Sequence, residues 1–167
     1  MKPNRLEAVE PLANFVMGLA EPESRILDIG CGNGTLLAAL RAGHRRNLTG
    51  FTSDPGQLKM LTHVWSDISE ACDLHIGQLE ELLKEAPPRS FGTVIVRDGA
   101  VCPKSVIRVA HDTVVVVGLA FEPYLESGLV LAATCDLPDG TTAFAGLVTM
   151  AMRKVVTEPS LEINETK

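Results

Sequence analysis

The chain alternates between two hydrophobic patterns. Over residues 4–20, Leu6, Val9, Leu12, Phe15, Val16 and Leu19 recur at three- and four-residue intervals. That spacing predicts one apolar helix face, with Pro11 as an expected kink. "RILDIG" follows, a short apolar run ending in glycine that suits a strand buried on both faces. "GTLLAALRAG" returns to helical spacing, with Gly43 placed to cap its C-terminal end. The exchange repeats with a strand over Leu48–Thr52 and a helix from Pro55 to about Ser66. A weaker strand in "CDLHI" and a helix in "QLEELLKEA", closed by Pro87 and Pro88, come next. "FGTVIV" reads as a strand, Pro103–Ala110 as a short helix, and "TVVVVGLA" as a strand.

From there the rhythm changes. After a short helix near Pro123–Ser127, "GLVLAAT" and "AFAGLVTMAM" flank "CDLPDGTT". Its Pro-Asp-Gly is turn chemistry, so the last two strands are expected to pair as an antiparallel hairpin. Strand–helix alternation with uncharged, β-branched strands predicts a parallel sheet covered on both faces. The expected organisation is one domain over 1–156, opened by a helix and lead-in over 1–24, with a polar tail over 157–167.

Composition narrows the class. At 167 residues the chain has the size of one domain, and 46% hydrophobic with 22% charged residues is the balance of a folded globular protein. The net charge is −6 and no Lys/Arg run interrupts it, so the electrostatic footprint of a nucleic-acid binder is missing. Cys31, Cys72, Cys102 and Cys135 lie far apart without a C-x-x-C pair. They read as reduced thiols of a cytoplasmic protein, with neither disulfide framework nor metal site expected. The N-terminus lacks the layout of a secretion signal, and the longest uncharged run, Thr141–Met152, is too short to cross a bilayer.

The candidate chemistry lies in "RILDIGCGNGT". Glycine permits left-handed backbone and close approach of a ligand, and the following helix offers free amides to an anion. A dinucleotide loop, G-x-G-x-x-G counted from Gly30, needs glycine at position 35, where Thr35 stands. The pattern is instead D-x-G-x-G-x-G, formed by Asp28, Gly30, Gly32 and Gly34. It resembles the first motif of class I S-adenosylmethionine-dependent methyltransferases. A strand–helix turn that binds nothing is the alternative.

That resemblance implies a Rossmann-like three-layer α/β/α sandwich around a mostly parallel seven-stranded sheet with a C-terminal antiparallel hairpin. It also implies S-adenosylmethionine as donor. Asp28 would help hold the ammonium group of the methionyl moiety, while Gly30, Cys31, Gly32, Asn33 and Gly34 pass beneath the ligand. The family's ribose-binding acid falls at Thr52, beside Ser53, in "GFTSDPGQL". Asp54 either reaches back to the ribose or caps the next helix, which "S-D-P" favours. Gln78 falls at the adenine-binding position, where its side-chain oxygen can accept a hydrogen bond, and Leu79 would offer the ring an apolar surface. Gly92 replaces a family aspartate at the start of strand four.

In an open parallel sheet only the carboxyl ends of strands face the site. His44 and His111 should therefore lie at the opposite rim, with His63 mid-helix and His75 in a strand. Arg97 and Asp98 after strand four, Glu122 and Tyr124 after strand five, and Cys135 and Asp136 at the hairpin belong to the correct rim, with Arg97 a candidate cofactor contact. Asp98 is the first candidate to orient a substrate or accept its proton, although Asp98-Gly99 is equally a plain turn. No N/D-P-P-Y/F sequence follows strand four, which argues against methylation of base or glutamine amides by that type of site. The expected function is methyl transfer to a small-molecule acceptor. Residues 1–24, a second copy or a partner subunit would exclude water. The alternative is a non-catalytic binding or scaffold subunit, motivated by Thr52 and Gly92.

Overall fold

A reversal in strand order sets the architecture. The computed structural model describes residues 5–97, 99 and 101–149. Helix α1 (Arg5–Leu19) leads into β1 (Ile26–Ile29), α2 (Thr35–Ala42), β2 (Leu48–Thr52), α3 (Pro55–Val64), α4 (Ser66–Ala71) and β3 (Asp73–Ile76). The chain continues through α5 (Leu79–Glu85), β4 (Phe91–Val96), α6 (Pro103–Val109), β5 (Ala110–Val117), α7 (Glu122–Glu126), β6 (Val130–Asp136) and β7 (Thr142–Leu147). The seven strands form one sheet in the order β3-β2-β1-β4-β5-β7-β6. Strands β1 to β5 pair in parallel, and β7 runs antiparallel to both β5 and β6. From β1 the chain moves outward to β2, and from β4 it moves the other way to β5. The crevice of the fold therefore opens at the carboxyl ends of β1 and β4.

Two apolar layers hold the sheet. On one face Ile26 and Ile95 pack with Leu12 and Val16 of α1, Leu36, Leu37 and Leu40 of α2, and Leu61 of α3. On the other, Leu27, Ile29, Val94, Val96, Val114 and Val116 pack with Leu83, Val106 and Tyr124. Successive residues of a strand point to opposite layers, so Asp28 shares the α1–α2 face with Ile26. All four residues of β1 are buried, which explains why Asp28 is its one polar side chain.

Three local expectations are corrected. The helix expected over Pro55–Ser66 breaks at Trp65, which leaves helical geometry (φ −128°, ψ 61°) and starts α4, an element the spacing did not predict. Trp65 packs against the α1–α2 core, and the turn it makes brings Ile68 inside. Gly43 caps α2 as expected, with φ −79°, and the following His44 takes the left-handed turn at φ 64°. A Cβ at Gly43 would also meet the flexible end of the Met17 side chain of α1. Strand β5 starts three residues before "TVVVVGLA" and stops at Val117, ahead of left-handed Gly118. The final strand ends at Leu147; residues 150–152 of the expected run and the tail over 157–167 lie outside the described residues. Pro11 sits inside an uninterrupted α1.

Candidate functional site

The glycine loop leaves β1 at the switch point. Gly30, Gly32 and Gly34 all adopt left-handed backbone, with φ of 83°, 54° and 78°. The amides of Gly30 and Cys31 both donate to Phe51 O at 2.9 Å, tying the loop to β2. Asn33 Oδ1 accepts from the Thr35 amide (3.3 Å) and hydroxyl (2.7 Å), which sets the start of α2. Among the described residues the Gly32 and Asn33 amides find no acceptor, and neither do the Leu36 and Leu37 amides in the first turn of α2. These donors and the helix dipole make the mouth of the loop attractive to an anionic or strongly polar group.

The glycines are there for different reasons. A Cβ on Gly34 would meet Leu61 side-chain atoms at 2.6 Å, so this glycine serves packing. A Cβ on Gly32 would meet nothing nearer than Gln57 Oε1 and Gly30 O, each at 3.9 Å. Among the described residues no neighbouring atom stands close enough to forbid a Cβ at Gly32. Gln57, near the start of α3, thus overhangs the loop; a lone glutamine two places after a helix-starting proline carries no sequence signal for that.

Asp28 is fully buried, and Arg97 holds its carboxylate at both oxygens: Nε to Oδ1 at 3.0 Å and Nη2 to Oδ2 at 2.5 Å. Asp28 offsets the desolvation that would otherwise depress the guanidinium, and Arg97 stays above its ordinary pKa. The carboxylate expected to meet a ligand's ammonium already has a cationic partner. Burial, then the nearby Asp28, pushes the Cys31 thiol up to about 12, so it stays protonated and is no nucleophile.

The remaining candidates are distributed along the same rim. Thr52 is buried at the end of β2, where its Oγ1 accepts from the Asp54 amide at 3.2 Å; Ser53 is exposed. Asp54 caps α3 by accepting from the Gly56 amide at 2.7 Å, as "S-D-P" favours. Gln78 is exposed directly before α5, with Leu79 half-buried beside it. Asp98 lies outside the described residues. Gly92 stands at the start of β4, where a Cβ would lie 2.7 Å from Ser24 Cβ, so packing at the far rim excludes the family aspartate. Tyr124 is buried in the α6–α7 layer beside Phe121, with burial pushing its hydroxyl up to about 12. It therefore does not face the crevice. His75 pairs with Asp73 at 3.0 Å and His111 with Asp112 at 2.6 Å. Among the described residues no group of three or more His, Cys, Asp or Glu is placed to hold a metal, and no helix is long and apolar enough to cross a membrane.

Beside Arg97 opens a cavity of about 390 Å³. Val9 and Leu12 of α1 form one wall, Val117 at the end of β5 another, and Leu137 and Pro138 of the β6–β7 turn a third; Asp139 stands among them. This is the size of a small-molecule site. The N-terminal helix, one of the covers expected from the sequence, and the hairpin turn both wall this cavity.

The family model described as methionine biosynthesis protein MetW matches residues 12–117, from α1 to the end of β5. No curated protein sequence matches the chain. Solved structures share its fold. A Haloferax volcanii complex between the Trm112 methyltransferase activator and a methyltransferase matches with 12% identity and a TM-score of 0.69, over 85% of this chain and 90% of that one. An S-adenosylmethionine-dependent methyltransferase from Aquifex aeolicus matches with 10% identity and a TM-score of 0.66, over 89% and 94%. The geranyl diphosphate C-methyltransferase of Streptomyces coelicolor, solved with Mg2+, geranyl diphosphate and S-adenosyl-L-homocysteine, matches with 13% identity and a TM-score of 0.63, over 83% and 80%. The fold is that of the class I methyltransferases.

Proposed function

The chain belongs to the MetW family, a methyltransferase-like family, and on that premise we propose that it is an S-adenosylmethionine-dependent methyltransferase acting on a small-molecule acceptor. One observation carries the reading: among the described residues the loop at the switch point keeps unpaired amides, and at Gly32 packing does not call for glycine. Gly30–Gly34 would pass under the methionyl portion of the donor, with the Gly32 and Asn33 amides free to meet its carboxylate. Thr52 and Ser53 would lie toward the ribose, and Gln78 and Leu79 toward the adenine. Arg97 joins Asp28 at the base of the site, and Asp98 is the candidate to orient the acceptor.

The donor supplies an electrophilic methyl carbon on sulfur. An acceptor lone pair would form the new bond to that carbon while the C–S electron pair returns to sulfur, leaving a neutral thioether. A proton on the acceptor would pass to a base or to water. Much of the protein's contribution is then alignment of the acceptor, which the covered cavity beside Arg97 suits. A cytoplasmic setting, a second copy or an activating partner belongs to the same proposal.

A second reading has its own observation. Because Arg97 occupies the Asp28 carboxylate, the loop could serve a non-catalytic scaffold that has given up its cationic contact. Thermal melting with and without S-adenosylhomocysteine separates the two. A ligand bound by the folded state alone raises the melting temperature, and no shift at saturation favours the scaffold.

A further inference from the structure

Resting on the methyltransferase reading, we infer that Arg97 selects the acceptor, and that this acceptor carries one anionic group, a carboxylate or phosphate, on a compact apolar body held between α1 and the β6–β7 turn. A guanidinium is a planar fork with five N–H donors. Asp28 takes the edge formed by Nε and Nη2. Both Nη1 hydrogens and the second on Nη2 remain, and they form another edge of the kind that grips a carboxylate or phosphate at two points. Among the described residues the Arg97 side chain donates to Asp28 alone, and it is 25% exposed. Arg97 also lines the cavity.

Asp28 pins the guanidinium before any ligand arrives, so little rotamer freedom is left to lose on binding. Among the described residues the cavity walls beside it include Val9, Leu12, Val117, Leu137 and Pro138, whose side chains carry no hydrogen-bond donor. Asp139, the other charged residue among the described ones lining the cavity, is exposed and already accepts from the Thr141 amide (2.9 Å) and hydroxyl (2.7 Å). Its charge is screened by solvent but disfavours a second anionic group near the turn. The result is a site for a singly headed, mostly apolar anion.

The test titrates the whole protein with hexanoate and with hexanol, in the presence and absence of S-adenosylhomocysteine, following backbone amide shifts by NMR. The inference expects hexanoate to bind about tenfold more tightly than hexanol, as befits a charge-assisted contact, with shifts centred on Leu12, Val117 and Leu137. Arg97→Lys keeps a cation on Asp28 but has no fork, and should erase that preference. Leu137→Trp, in the turn, should block hexanoate while leaving the S-adenosylhomocysteine shifts intact. Equal affinity for the two probes overturns the inference, as does a preference that survives in Arg97→Lys. Competition between hexanoate and S-adenosylhomocysteine also overturns it, because Arg97 would then be holding the donor's own carboxylate. If S-adenosylhomocysteine fails to bind but the hexanoate preference stands, the donor reading falls and the anion site remains. If S-adenosylhomocysteine binds and hexanoate shows no preference, the donor reading stands alone.

Discussion

Arg97 and Asp28 meet across 69 residues of sequence to form a two-point ion pair whose carboxylate has no solvent exposure. The pair joins the carboxyl end of β1 to that of β4 at the place where strand order reverses. It makes Asp28 a structural anion and leaves Arg97 as the cation that the site presents.

Removing one partner should therefore be worse than removing both. Arg97→Ala leaves a buried carboxylate without a counter-charge, and a loss of about 3–5 kcal/mol in urea unfolding is expected. The double variant Asp28→Asn, Arg97→Met should recover part of that loss, because neither charge then has to be buried. The checking measurement is the coupling energy from a double-mutant cycle.

Gly34 and Gly32 should separate stability from binding. Gly34→Ala drives a methyl group into Leu61 and should cost about 1–3 kcal/mol of stability by overpacking. Gly32→Ala carries mainly the cost of a left-handed alanine, about 1–2 kcal/mol, since its nearest described neighbours, Gln57 Oε1 and Gly30 O at 3.9 Å, are at ordinary contact distance. It should fold, yet bind S-adenosylhomocysteine poorly. Urea melts and calorimetry on the same two proteins check both halves.

The buried thiols set an alkaline limit. Unfolded cysteines ionise near pH 9, whereas burial holds Cys31 to about 12 and Cys72 to about 11. As pH rises through 9 the unfolded chain gives up these protons first, so stability present below pH 9 is lost up to about 11 for Cys72 and about 12 for Cys31. At pH 10.5 each thiol should account for about 2 kcal/mol. Cys31→Ala and Cys72→Ala should each flatten the decline, measured as urea midpoints at pH 8 and 10.5.

Thiol labelling gives an independent check. Cys102 is exposed, and the amides of Ser105 and Lys104 pull its pKa below the ordinary value. A disulfide reagent at neutral pH should modify Cys102 first and reach Cys31 and Cys72 only in denaturant. Rapid labelling of Cys31 in the native protein would contradict the packed loop described above.

Much of this was legible in the residues, and the part that was not has physical causes. Strand–helix order and the hairpin came through because β1, β4 and β5 are buried on both faces and the turn is marked by Pro-Asp-Gly. The loop was readable because three left-handed positions in a row need glycine. The break at Trp65 was hidden, since helical spacing continues across it and only tertiary packing turns the chain. Gly92 was misleading for a related reason: it is glycine because the Ser24 side chain lies where a Cβ would go. The Arg97–Asp28 pair could not be seen at all. Its members were each assigned to a ligand, and nothing local indicates that they satisfy one another.

Calorimetric titration of the intact protein with S-adenosylhomocysteine, run beside Gly32→Val, tests the central claim most directly. Saturable one-to-one binding by the native chain and its loss in a Gly32→Val protein that still melts cooperatively is the expected result. Absence of binding by the native chain, or equal binding by both, would contradict an adenosyl-donor site at the glycine loop.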